Sequence, residues 1–155
     1  MIEVKEGNLF DLDVPAYAHG VNCRGLMGAG IAKSFAAMYP AMLPSYQKLC
    51  RLGRGKLLGK VHPWQDPQSG KWIFNLFTQD EPGPNASLLS VYHSLRELLG
   101  MLIVRDITHV GMPAIGAGIG GLNFDEVLAV VKLAFRNWDG TCYIFKPWAQ
   151  KEVPA

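Results

Sequence analysis

Two glycine clusters are the part of this chain best suited to chemistry: Gly116-Ala117-Gly118-Ile119-Gly120-Gly121 and, earlier, Gly28-Ala29-Gly30. Each follows an apolar strand candidate and precedes a helix candidate. Glycine has no Cβ, so its backbone N–H can come close to an anion, and a following helix N-terminus adds a favourable dipole. One such loop implies only a tight turn with close helix packing. Two imply a divided site for a diphosphate. Neither cluster is followed by the Lys-Ser or Lys-Thr of a triphosphate loop, and neither has a third glycine at dinucleotide-fold spacing. This argues against a nucleotide-triphosphate enzyme.

The titratable and nucleophilic residues carry less signal. His19 falls within a strand candidate and reads as a buried, hydrogen-bonded histidine, while His62 and His93 read as surface positions. Cys23 has no placed histidine partner and reads as a small packed residue. Asp80 and Glu81 read as solvated loop charges. Cys23, Cys50 and Cys142 form no CxxC and no histidine cluster, so neither a disulfide framework nor a zinc or other metal site is indicated, and free thiols fit a reducing cytosol.

Alternating strands and helices must position the loops. Ile2 and Val4 mark a half-buried strand ending at Gly7-Asn8, and Tyr17 to Asn22 a more central one. Helical spacing from Ile31 stops at Tyr39-Pro40, and a second helix covers 41–52 with Gly53 as its C-cap. Strands are expected at 57–64 and 71–77, joined by a turn at 65–70, followed by a loop over 78–85. A helix from Leu88 should close at Gly100. Then come a strand at 107–112, a helix at 124–138 and a last strand at 141–145. This order favours an α/β fold with a mostly parallel sheet, whose ligands sit beyond the carboxyl ends of the strands.

At 155 residues, with 49% hydrophobic and 18% charged, the chain suits one domain with a proper core. The net charge of +2 and the lack of a basic stripe argue against nucleic acid as a partner. No apolar run approaches the roughly 20 residues needed to cross a membrane, and no signal-peptide core opens the chain, so a cytoplasmic monomer is the expectation.

Three segments carry a resemblance: Gly7-Asn8-Leu9-Phe10, the run from His19 to Ala32, and Pro113-Ala114-Ile115-Gly116-Ala117-Gly118-Ile119-Gly120-Gly121-Leu122. In order and spacing the chain resembles a macrodomain over residues 1–155. Its Met27-Gly28-Ala29-Gly30-Ile31-Ala32 form is similar to the branch holding terminal ADP-ribose protein glycohydrolase and the DNA-ADP-ribosylation antitoxin. The resemblance implies a three-layer α/β/α sandwich with a mixed, mostly parallel sheet and an ADP-ribose pocket that needs no cofactor. It implies that Gly28, Ala29, Gly30 and Ile31, with Ile115, Gly116, Ala117, Gly118, Ile119 and Gly120, cradle the diphosphate. Asn22 would face the distal ribose, unless it only caps its loop. Asn8 and Leu9 would meet adenine, Asn8 standing where many macrodomains have Asp. Phe145 or Trp148 would stack on the base, unless they are core or rim.

The chain also departs from that branch. The resembling hydrolases place Lys directly after the Thr matching Thr78, where this chain has Gln79, and the glycohydrolase's acidic loop residue matches Gly120. A lysine adduct is therefore not expected. Asn22 and Gln79 are left as catalytic candidates, Gln79 holding a water or hydroxyl but not acting as a base, because an amide does not titrate usefully. Removal of mono-ADP-ribose from Asp or Glu esters of proteins is the first expectation. A non-catalytic ADP-ribose reader and an ADP-ribose 1″-phosphate phosphatase are the alternatives.

Overall fold

The computed structural model describes residues 1–147, so the Trp148 expectation lies outside the described residues. Six strands form one sheet: β1 (Ile2–Lys5), β2 (Ala16–Asn22), β3 (Val61–Gln65), β4 (Trp72–Gln79), β5 (His109–Met112) and β6 (Thr141–Phe145). Their order is β1-β6-β5-β2-β4-β3, with every neighbouring pair parallel except the β3–β4 hairpin. Four helices cover it: α1 (Gly30–Met38), α2 (Met42–Leu52), α3 (Leu88–Val104) and α4 (Phe124–Ala134).

Strand alternation builds two cores. On β2, Ala16 and Ala18 face α3 and α4, joining Phe74 and Leu76 of β4 with Leu95, Leu98 and Val131. Tyr17 and Val21 face the other side, where Ile73 and Phe77 meet Phe35 of α1 and Tyr46 of α2. The result is a three-layer α/β/α sandwich with a mixed, mostly parallel sheet. The central strands are buried on both faces, which is why they read as nearly continuous apolar runs.

Several boundaries differ from the sequence reading. Helix α3 runs through Gly100 to Val104, because burial of Leu98, Leu99 and Leu102 outweighs the roughly 1 kcal/mol that a helical glycine costs. Strand β3 begins only at Val61, since Gly59 sits at φ +81° in a turn anchored by buried Leu57. Helix α4 stops at Ala134. The expected loop at 78–85 begins later, because β4 continues through Gln79. His62 is buried rather than on the surface, because Asn75 holds its ring from within the sheet.

Candidate functional site

At the carboxyl ends of β2, β5 and β6 lies a cleft of about 1110 Å³. Apart from Trp148, which lies outside the described residues, all of the residues that the sequence singled out for ligand binding, from Asn8 and Leu9 through both glycine loops to Phe145, line it, as do Asn22 and Gln79. Helix α1 opens into it without a side-chain cap: Ala29 occupies the N-cap position and the first turn holds no acidic residue. Helix α2 is likewise uncapped, at Ala41, but does not line the cleft, whereas α3 and α4 are capped by Ser87 and Asn123. The amides of Gly30, Ile31 and Ala32 precede the first helical bond, from Lys33 N to Ala29 O.

The second loop folds on itself while leaving its centre open. Gly116 O accepts from Leu122 N at 2.8 Å, and Gly118 O accepts from Gly121 N at 3.2 Å. Among the described residues the N–H groups of Gly118, Ile119 and Gly120 have no backbone acceptor. Gly116 needs glycine, at φ +74°, and Gly30 sits at +59° where a Cβ would lie 2.8 Å from Ile119 Cδ1. The two loops therefore touch through Ile119 and Gly30, and their free donors share the cleft.

The polar end is built by a bulge. Val21 pairs with Phe77 but Asn22 with Gln79, so Thr78 is the extra residue, an irregularity that re-aims side chains beside a site. Asn22 is already engaged in its loop: Nδ2 donates to Leu26 O at 2.7 Å, and Oδ1 accepts from Arg24 N at 2.9 Å and Tyr46 Oη at 3.1 Å. That is the loop-capping role. Gln79 Nε2 donates to Glu81 O at 2.6 Å and Gly83 O at 2.8 Å. Those two bonds fix the amide, and no donor among the described residues is on its Oε1. Just outside, Arg24 pairs with both Asp80 and Glu81 at 3.0 Å, all three side chains being half exposed or more.

No carboxylate lines the cleft among the described residues; Lys146 is its one charged side chain. Burial and the nearby Asp80 push the Cys23 thiol up to about 12, so it is protonated at neutral pH. His19 lies fully buried beneath the cleft, stacked on Phe35 with ring centroids 4.0 Å apart, and burial pulls its pKa down to about 3. It is neutral and not positioned to act as a base.

His19 is the buried, hydrogen-bonded histidine that its place in the strand suggested, but the rest of the polar chain it belongs to escaped the sequence reading. Ser45 Oγ meets His62 Nε2 at 2.9 Å, Asn75 Nδ2 donates to His62 Nδ1 at 3.0 Å, and Asn75 Oδ1 accepts from His19 Nε2. This is why His62 turns inward. The signal was Asn75 itself, an amide inside the apolar run Trp72 to Phe77 that had to find partners once buried. His19 Nδ1 and Thr78 Oγ1 are buried with no partner among the described residues. Phe145 is nearly buried, in the same core cluster as Leu9 and Phe35, and still lines the cleft.

The sequence profile described as Macro domain matches residues 18–131. The DNA ADP-ribosyl glycohydrolase of Mycobacterium tuberculosis is 32% identical over 139 residues, covering 88% of this chain and 39% of that protein. The chain thus spans about two fifths of the length of the curated relatives of that name. Among solved structures, the macrodomain of Thermus aquaticus DarG superposes with a TM-score of 0.86 at 27% identity, covering 95% of this chain and 99% of that one. Thermosipho africanus DarTG in complex with ADP-ribose gives a TM-score of 0.87 at 20% identity, over 95% of this chain and 42% of that one, a likeness of fold alone.

Proposed function

This chain belongs to the macro domain family, and from that premise we propose that its cleft binds ADP-ribose and hydrolyses mono-ADP-ribose from modified proteins at Asp or Glu ester linkages. The uncapped α1 N-terminus facing the open amides of Gly118 to Gly120 carries the reading. It offers converging donors and a helix dipole to a diphosphate, with no carboxylate among the described lining residues to repel it. Relatives named DNA ADP-ribosyl glycohydrolase, up to 32% identical, support a ligand of the same class.

Ester hydrolysis asks little acid–base help of the protein. Water adds to the anomeric carbon of the distal ribose, the bond to the carboxylate oxygen breaks, and the electron pair leaves on a carboxylate that is stable unprotonated near pH 7. The water's spare proton passes to solvent. Acceleration then comes from holding the diphosphate so that the ribose is presented to water in one orientation. Gln79, its amide fixed by two carbonyls, offers Oε1 as an acceptor for a ribose hydroxyl or that water. Asn22 acts mainly by shaping the loop from Asn22 to Leu26. No lysine adduct enters, because Gln79 stands at the strand end and Lys146 lies at the opposite end of the cleft, after β6.

The DNA ADP-ribosyl glycohydrolases among the relatives favour a second reading, in which the modified acceptor is DNA. The rim argues for protein: beside the ribose end Arg24 is outnumbered by Asp80 and Glu81, which would repel a phosphate backbone. Glutamate-linked mono-ADP-ribosylated protein and ADP-ribosylated DNA, incubated separately with the domain, decide between them by the ADP-ribose released. Release from the protein substrate is expected. Release from DNA alone supports the second reading, and binding of ADP-ribose without release from either leaves a non-catalytic reader.

A further inference from the structure

We propose that Asn85, which does not itself line the cleft, is a positioning residue for Gln79: its side chain braces the turn after β4 whose carbonyls hold the Gln79 amide. This rests on the reading above, in which Gln79 Oε1 accepts from a ribose hydroxyl or the attacking water.

Gln79 is nearly buried at the wall of the cleft, where Nε2 donates to Glu81 O at 2.6 Å and to Gly83 O at 2.8 Å. Carbonyls admit only the NH₂ end of an amide, so its orientation is set and Oε1 is the polar atom left for a ligand. That orientation depends on where residues 81 and 83 put their carbonyls, in a segment with no helix or strand to fix them.

Asn85 supplies the missing constraint. Its Oδ1 accepts from Glu81 N at 3.1 Å, and its Nδ2 donates to Glu81 O at 2.8 Å and to Pro82 O at 3.1 Å. Both backbone polar groups of Glu81 are thus held by one side chain, and Glu81 O accepts from Asn85 and Gln79 together. Asn85 N also donates to Gly83 O at 2.9 Å, so each acceptor of Gln79 is shared with Asn85. The turn asks for an acceptor and a donor at once, which an amide provides. A carboxylate would keep the acceptor but set its second oxygen against two carbonyls.

The other contacts of the segment act elsewhere. Arg24 pairs with the carboxylates of Asp80 and Glu81, not with the carbonyls. The link to the second glycine loop, from Ala86 N to Gly120 O, is a backbone bond that does not involve the Asn85 side chain. Truncating exposed Asn85 should therefore leave the fold and the diphosphate loops in place while freeing the Gln79 amide to turn.

A double-mutant cycle tests this, using release of ADP-ribose from glutamate-linked mono-ADP-ribosylated protein and calorimetric titration with ADP-ribose. Asn85→Ala and Gln79→Ala should each slow turnover about tenfold, and the double variant no more than about twofold further, because Asn85 acts through Gln79. ADP-ribose affinity in Asn85→Ala should stay within about threefold of wild type, since the loop amides are untouched. Asn85→Asp should lose as much turnover as Asn85→Ala. In ¹⁵N spectra the Gln79 side-chain amide protons should exchange slowly in wild type and fast in Asn85→Ala, a signature independent of turnover. Losses that multiply in the double variant, undiminished turnover in either single variant or in Asn85→Asp, or a Gln79 amide still protected in Asn85→Ala would each overturn the inference while leaving the functional reading intact. Failure of wild type to release ADP-ribose would overturn that reading, and this inference with it.

Discussion

Replacing Gly118 and Gly120 separately should split ligand binding from folding within a single loop. A Cβ at Gly118 would meet nothing within 4 Å, and its φ lies outside the left-handed region. Gly118→Val should therefore keep stability within about 0.5 kcal/mol, while filling the space beside the open amides and weakening ADP-ribose binding tenfold or more. Two residues on, a Cβ at Gly120 would sit 2.7 Å from Gly116 O, 3.0 Å from Gly116 Cα and 2.8 Å from Ala86 Cβ. Two of those atoms are backbone, and both segments are tied: Gly116 O accepts from Leu122 N, and Ala86 N donates to Gly120 O at 3.2 Å. Overpacking of this kind costs about 1–3 kcal/mol. For a domain of this size each kcal/mol moves Tm by roughly 2–4 °C, so Gly120→Ala should melt about 2–12 °C lower. The same lack of room means that an Asp cannot be restored at this position without rebuilding the loop. Scanning calorimetry with parallel ADP-ribose titrations checks the pair. Equal destabilisation by both variants, or undiminished affinity in Gly118→Val, would refute the reasoning.

Asn22→Ala removes the partners of Leu26 O and Arg24 N, so a stability loss of about 1–3 kcal/mol in urea denaturation should accompany any loss of turnover; an activity defect at full stability would return the side chain to the ribose. Thr78→Val deletes a buried hydroxyl with no partner among the described residues at nearly constant shape, and should leave Tm unchanged or raise it; a fall of several degrees would reveal a bond at Thr78 Oγ1. His19 contributes a pH dependence of definite sign. Its pKa falls from 6.5 in the unfolded chain to about 3 when folded, so between these values the unfolded state binds more protons. The stability is complete above about pH 6.5 and is lost as pH drops toward 3, by an amount on the order of 5 kcal/mol. Urea midpoints measured from pH 7.5 to 4.5 should fall, and His19→Phe should flatten part of that slope; identical slopes in the two proteins would contradict it.

Much of the fold was legible because period and punctuation agree. The apolar run at Tyr17 to Asn22 covers all of β2 but its first residue, that at Ile107 to Met112 contains β5, and Gly53 caps α2 as its position suggested. What failed did so for tertiary reasons. Gly100 is a helix breaker only until Leu98, Leu99 and Leu102 are buried, and Gln79 looks like loop until β2 provides a partner for it. The glycine clusters were readable as backbone donors because that property is local. The engagement of the two amides was legible for Asn22 as a loop cap but not for Gln79, whose partners Glu81 O and Gly83 O come within reach only through the particular turn the chain takes after β4. Lys146 carried no motif, and only the β1–β6 pairing sets it at the cleft.

That the paired loops hold the diphosphate of ADP-ribose on their backbone amides is tested most directly by titrating the ¹⁵N-labelled domain with ADP-ribose and following its amide resonances. Saturable shifts are expected, concentrated at Gly30, Ile31 and Ala32 and from Gly118 to Gly120. No shifts, or shifts that leave both loops untouched, would contradict the central claim.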